Sequence, residues 1–291
     1  MSSSLPHLPP ITRLSPRIIR ILGANPSKFT LQGTNTYLLG TGRERILLDT
    51  GEGKSEWKNS LQKVLADEGC TVREVVLSHW HGDHVGGVND VKDVGGEGVR
   101  VWKHQPQVNG NEDWEGFEDG KVFSAEGVKL TAWHTPGHTV DHMCFFLHEE
   151  AALFSADNVL GHGTAVFEDL SAYMASLGKM RDIPDFTNTS RIYPGHGEVV
   201  KDGRAKVEEY ISHRKQREEE ILGLLGREGE WSSMEIVKVV YAKYPANLHG
   251  PAEGGVRQVL RKVEGDGRVQ EVQGGGKWRL VDAGGEKKAA L

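Results

Sequence analysis

The stretch that decides the reading is His79-Trp80-His81-Gly82-Asp83-His84, directly after the apolar run Glu74–Ser78. Four metal-capable side chains within six residues cannot share an apolar core without a large desolvation cost. Placed on a loop at a strand's end, His79 and His81 point the same way and can converge on one ion. Asp83 and His84 then diverge toward a second. Neutral imidazole and carboxylate are ligands that Zn²⁺ accepts, and they also suit Mn²⁺ or iron. A lone histidine is most often a hydrogen-bonded or surface residue; a cluster at this spacing carries a mechanism.

Further ligands must come from loops downstream, and three are offered, each after a strand candidate. His138 sits in Thr135-Pro-Gly-His-Thr after Lys129–His134, Asp157 in Ser155-Ala-Asp-Asn after Ala152–Ser155, and His196 in Tyr193-Pro-Gly-His-Gly after Arg191–Tyr193. A Pro-Gly turn throws the next side chain sharply off its strand, and glycine relieves crowding where backbone nears the ions. Asp49 closes Ile46-Leu-Leu-Asp-Thr-Gly, where its carboxylate can orient a ligand histidine. Gln32, Thr34 and Asn35 either line the cleft or stabilise a turn. His134, His142 and His162 are candidates for hydrogen bonds to the ligands. Cys144 reads as core and Cys70 as inert.

The remaining strand candidates are Arg17–Leu22, Thr36–Leu39, Arg45–Asp49, Glu74–Ser78, Gly98–Trp102 and Met143–Leu147. Arg17–Gly23 reads as the first edge strand, with its arginines exposed. Helices are expected at Trp57–Glu68, with Leu61, Val64 and Leu65 on one face, and at Leu170–Met180. Strands that first pair locally and then mix with helices make the class α/β or α+β with two sheets.

After Asp202 the composition changes. A long helix, Arg204–Leu225, precedes a Ser232/Glu235 capping box, a helix Gly255–Glu264 and a hairpin of Arg268–Val272 and Lys277–Val281 about a Gly274–Gly276 turn. This is the outline of a winged-helix-like module, so residues 1–203 form one domain and 204–291 another. The end, Ala283–Leu291, is expected to fray.

The 291 residues, 37% hydrophobic and 26% charged, suffice for a large soluble domain plus a small one. The net charge of −6 excludes a uniformly basic nucleic-acid binder. It divides unevenly: residues 204–291 carry 16 basic and 14 acidic side chains, which leaves −8 on residues 1–203. Two cysteines cannot build a disulfide framework. No run approaches a membrane span and no secretory signal is visible, so a cytoplasmic location is expected, with the mitochondrial matrix as the alternative. The 13 histidines are the odd feature of the composition.

The order Asp49, His79-x-His81-x-Asp83-His84, His138, Asp157, His196 resembles the metallo-β-lactamase superfamily. The resemblance implies an αββα sandwich with a two-metal site, here two zinc ions per chain. Carried over, His79, His81 and His138 would hold the first zinc. Asp83, His84 and His196 would hold the second, and Asp157 would bridge them. The intact Asp83 separates the chain from the true lactamases. Leu31-Gln-Gly-Thr-Asn-Thr-Tyr, Asp49-Thr-Gly-Glu, Thr164-Ala-Val-Phe-Glu-Asp-Leu, Tyr210-Ile-Ser-His-Arg and Pro245-Ala-Asn-Leu-His further resemble the β-lactamase-like protein 2 group.

Two kinds of relative share that pattern. Fungal lactamase-like thioesterases release aromatic polyketides such as atrochrysone carboxylic acid from an acyl carrier protein, which implies that protein or a polyketide synthase as partner. Mitochondrial β-lactamase-like endoribonucleases cut single-stranded RNA, the alternative partner. The resemblance implies a metal-bound hydroxide as nucleophile and Asp83 as the acid/base residue. The departure at His162, where the endoribonucleases are expected to carry an acidic residue, and the acidic first domain both lean toward the thioesterase.

Overall fold

The computed structural model describes residues 5–281 apart from 106, 108, 109, 111, 112, 228, 273 and 274. The chain forms two compact units: residues 1–168 with 172–210, and residues 169–171 with 211–291. The expected fraying segment Ala283–Leu291 lies outside the described residues, as does Gly274 of the expected turn.

The first unit is built on two sheets. One runs in chain order: β1 (Ile11–Ser15), β2 (Ile18–Leu22), β3 (Asn35–Leu39), β4 (Glu44–Leu48), β5 (Thr71–Leu77), β6 (Arg100–Lys103) and β7 (Glu115–Gly116). Pairing is antiparallel through β4 and parallel from β4 onward. The connection that permits the parallel step is helix α1 (Ser55–Glu68), which ends on Gly69 in the left-handed region. The short helix α2 (Gly82–Val85) and α3 (Val88–Val94) follow β5. The second sheet, in spatial order, is β12 (Ile192–Pro194), β11 (Ala152–Ala156), β10 (Met143–Leu147), β9 (Val128–His134) and β8 (Val122–Ala125).

Alternation along the strands sorts side chains into layers. Ile18, Tyr37, Leu39, Ile46 and Leu48 meet Leu130, Phe145, Phe154 and Tyr193 between the two sheets. Ile19, Ile21, Leu38 and Leu47 face the other way, onto Trp57, Leu61, Val64 and Leu65 of α1. On the far side of the second sheet lies α4 (Leu170–Arg181), whose Met180 Sδ is 3.9 Å from Cys144 Sγ. The layering is therefore αββα, the architecture that the resemblance implies.

The edge-strand expectation is corrected. β1 is the edge, and β2 lies between β1 and β3 with all five residues buried. Arg20 points between the sheets, only 3% exposed, with NH2 donating to Thr12 Oγ1. β1 was missed because Ile-Thr-Arg-Leu-Ser, half-buried and flanked by prolines, has too few apolar positions to show a strand period. β7, β8 and α3 were missed too, being short and partly exposed.

In the second unit the described elements are the latter part of α5 (Gly203–Leu225), β13 (Trp231–Ser232), α6 (Ser233–Val240), α7 (His249–Gly265), β14 (Val269–Val272) and β15 (Lys277–Leu280). The Ser232/Glu235 capping box forms as expected. α7 starts six residues before the expected Gly255, because Pro251 and three glycines in its first turns lower its propensity without excluding a helix start. Its buried stripe is Val256, Val259, Leu260 and Val263.

Candidate metal centre

Five chain segments leave their strands at the same end of the two sheets and bring the site together. Two of the exits have non-glycine residues at positive φ: Asp49 at 59° after β4 and Ala156 at 41° at the end of β11. Such turns are rare and costly for residues with a Cβ, and here they swing Asp49 and Asp157 inward. Met143 N donates to Ser78 O at 2.9 Å, which ties the sheets together beside the exit of β5. Gly195 precedes His196 for want of space: a Cβ there would lie 2.3 Å from Asp157 Oδ1.

All seven sequence-derived candidates are brought together in two groups that could each hold an ion. One comprises His79, His81, His138 and Asp157; the other comprises Asp83, His84 and His196. In the first, His81 Nδ1 is 3.0 Å from His79 Nε2 and 3.1 Å from His138 Nε2. In the second, His84 Nε2 and His196 Nε2 lie 3.4 and 3.3 Å from Asp83 Oδ2. Asp157 reaches into both groups. Its Oδ2 is 3.2 Å from His196 Nε2 and 3.6 Å from His138 Nε2, and its Oδ1 is 3.4 Å from His84 Nε2.

Outer partners set the tautomers. Ser78 Oγ spends its one proton on Asp49 Oδ2 at 2.8 Å, so its contact with His79 Nδ1 at 2.9 Å requires that nitrogen to donate. His138 Nδ1 donates to Val166 O at 2.8 Å, and His84 Nδ1 donates to Asp49 Oδ2 at 2.8 Å. In the neutral rings each Nε2 is then a bare lone pair facing inward. The three nitrogens of the first group meet with at most one proton among them. Among the described residues, the buried His84 Nε2 and Asp157 Oδ1 find no hydrogen-bond partner. Converging lone pairs and orphaned acceptors, all nitrogen or carboxylate oxygen, are what a divalent cation satisfies, so these residues fit a metal.

The protonation pattern of the bare protein differs between the groups. Burial holds His79 well below the usual imidazole range and pushes His81 down to about 4, so these rings stay neutral. Burial also opposes charge on His84 and His196, but the carboxylates outweigh it. Asp83, Asp157 and Asp49 raise His84 well above its ordinary value, and Asp157 and Asp83 raise His196 to about 9. Asp83 and Asp157 resist burial in turn and lie well below the carboxylate range, held ionised by His84 and His196.

The supporting residues were only partly foreseen. Asp49 orients His84, as its place after β4 suggested. His142 is buried and accepts from Asp157 N at 3.2 Å, while His134 Nε2 donates to Val140 O at 2.9 Å in the His138 loop. His162 is exposed. Gln32 and Asn35 serve loop structure: Gln32 Nε2 donates to Pro6 O, and Asn35 Nδ2 donates to Pro194 O and Gly197 O, clamping the loop of His196. Ser78 was not foreseen, nor was the fully buried pair of Lys103 and Asp141 beneath the His138 loop. Lys103 ends the strand Arg-Val-Trp-Lys, where a lysine ordinarily reads as solvent-facing.

Asp83 also lines an open cleft of about 840 Å³ with Ala24, Pro26, Phe29, Glu52 and Lys54. Phe29 is 74% exposed there, and Trp80, Val140 and Val166 are exposed on the loops that carry the ligands.

Comparison with known proteins matches residues 29–196 to the metallo-β-lactamase superfamily and residues 232–278 to the β-lactamase-associated winged helix domain. The chain is 45% identical over 271 residues to a β-lactamase-like protein 2 homolog of Caenorhabditis elegans, covering 92% of this chain and 90% of that protein. It is 44% identical over 292 residues to an atrochrysone carboxyl ACP thioesterase of Aspergillus chevalieri, covering 96% and 92%. Among solved structures, a β-lactamase domain protein from Burkholderia ambifaria superposes with a TM-score of 0.80 at 17% identity, covering 93% of each chain, which speaks for the fold. The chain belongs to the metallo-β-lactamase superfamily of hydrolases and carries that superfamily's associated winged helix domain.

Proposed function

We propose that the chain is a zinc-dependent thioesterase that releases a polyketide resembling atrochrysone carboxylic acid from an acyl carrier protein. The observation that carries this reading is the 44% identity, over 96% of the chain, to a protein named for that reaction. His79, His81 and His138 would hold one zinc, Asp83, His84 and His196 the other, with Asp157 between them. When bound, such a pair supplies a Lewis acid for the developing oxyanion and lowers the pKa of the attacking water.

The protein's own groups do the rest. The Asp83 carboxylate takes a proton from the attacking water and returns it to the sulfur as the carbon–sulfur bond breaks. Asp49 and Ser78 hold the tautomers of His84 and His79 throughout. The apolar side chains Phe29, Trp80, Val140 and Val166 suit an aromatic acyl group better than a polyanion.

Charge in the winged helix unit supports the same choice. Of the basic side chains of α7, Arg257 pairs with Glu253 at 2.9 Å, and Lys262 pairs with Glu218 at 2.9 Å and Asp266 at 2.7 Å. A track for RNA would leave such groups free for phosphates. The test is a side-by-side assay of zinc-loaded protein on acyl carrier protein thioesters and on single-stranded RNA. Thioester release with intact RNA is expected; RNA cleavage without thioester release would replace the reading with the endoribonuclease one.

A further inference from the structure

The Gln32-Gly33-Thr34-Asn35 segment leads into β3 with every polar group of Thr34 committed. Thr34 is fully buried. Its N–H donates to Asn25 Oδ1 at 2.9 Å, and its hydroxyl accepts from Asn25 Nδ2 at 3.0 Å. The backbone donor fixes which end of the Asn25 amide is oxygen, and an amide NH₂ only donates. The single hydroxyl proton of Thr34 therefore goes outward, to Asp83 Oδ2 at 3.1 Å. That same oxygen faces His84 and His196, at 3.4 and 3.3 Å. Among the described residues no hydrogen bond reaches Asp83 Oδ1, and Asp83 borders the cleft beside Phe29 and Lys54.

The bracket is closely built. A Cβ on Gly23 would lie 2.7 Å from Asn25 Oδ1 and 3.1 Å from Thr34 O, so the chain passes there without room for a side chain. We propose that Asn25 and Thr34 are positioning residues that lock the Asp83 carboxylate in one rotation, with Oδ2 toward His84 and His196 and Oδ1 toward the substrate cleft. The terminal torsion of a carboxylate is soft, so without a directed donor the plane of the group swings and neither oxygen holds its direction. An acid/base group that must meet both the attacking water and the departing sulfur depends on that aim.

The inference rests on the role proposed for Asp83, and its test separates the two. Thr34→Val keeps the shape and removes the hydroxyl. It is expected to lower kcat for thioester hydrolysis about tenfold, the worth of one charge-assisted hydrogen bond, with KM changed less than about twofold. Thr34→Ser keeps the hydroxyl and is expected to retain at least about half of the wild-type kcat. Asn25→Ala, which frees the hydroxyl to turn away, should fall between them.

A chelator-competition titration with zinc gives a second readout. The weaker of two binding events should weaken about tenfold in Thr34→Val while the tighter is unchanged. Wild-type kcat and zinc affinities in Thr34→Val would overturn the proposal. So would Thr34→Ser as impaired as Thr34→Val, since packing of the methyl group would then be the cause. If Thr34→Val does not fold by circular dichroism, Thr34→Ser against Asn25→Ala decides: equal kcat in the two overturns the proposal. A wild-type protein that hydrolyses no thioester removes the proposed function, yet the zinc titration still decides whether Thr34 holds Asp83.

Discussion

The two ligand groups share one end of the sandwich and one carboxylate, yet they are built on different principles. The first is mostly imidazole, with His79 and His81 kept neutral by burial and the rings oriented by a serine hydroxyl and a backbone carbonyl. The second couples two histidines to carboxylates, and in the bare protein it stores positive charge that a metal must displace. Its His196 Nδ1 is buried with no partner among the described residues, whereas Nδ1 of His79, His84 and His138 each has one. The comparison teaches that similar ligands, set by different neighbours, meet an incoming ion with different proton inventories.

The sharpest way to break the comparison is to remove what the groups share. Asp157→Ala should abolish turnover, by about 10⁴-fold or more, with zinc lost from both groups in elemental analysis, since Asp157 reaches into both. Asp83→Asn should act on the second group alone. We expect kcat to fall about 10²- to 10⁴-fold with one zinc retained, measured by steady-state kinetics beside metal analysis.

Next come the orienting residues. Asp49→Asn disturbs His84 directly and His79 through Ser78, so zinc affinity of both groups should drop about 10- to 100-fold in chelator competition. Ser78→Ala touches only the His79 side, and about tenfold on one group is expected.

The smallest effect is one of pH. His196, raised to about 9, carries a proton at neutrality that metal binding must release. Affinity of the second group should therefore rise with pH up to about 9, about tenfold per unit for each proton displaced. His81 at about 4 and His79, held well below the usual range, have already lost their protons by neutrality, so neither should contribute a proton release in the first group between pH 6 and 8. Calorimetry in buffers of different ionisation enthalpy counts the protons released at each step.

Much of the site was legible because its ligands are exceptions to the chemistry of a core. Six residues with four metal-capable side chains after an apolar strand have few other uses, and His138, Asp157 and His196 each follow a strand and a sharp turn. The supporting residues were less legible, because nothing in a sequence distinguishes a buried polar side chain from a surface one. Arg20 reads as exposed and is buried, and Lys103, which no pattern singles out, is fully buried as well, each in a strand whose neighbours supply the burial. Thr34 was open between lining and turn formation until its hydroxyl was seen to face Asp83.

By itself, then, the sequence determined a class of two sheets mixed with helices, the winged-helix-like end and the candidate ligands, because periodicity and the chemistry of metal donors are local properties of the chain, while the αββα layering followed from the resemblance to the superfamily. Tertiary structure alone decided the separations within the two groups, which ring nitrogen faces inward and which histidines hold a proton. Those depend on separations of about 3 Å between residues as far apart as Asp83 and His196, and on burial, and neither is written in any single stretch of residues.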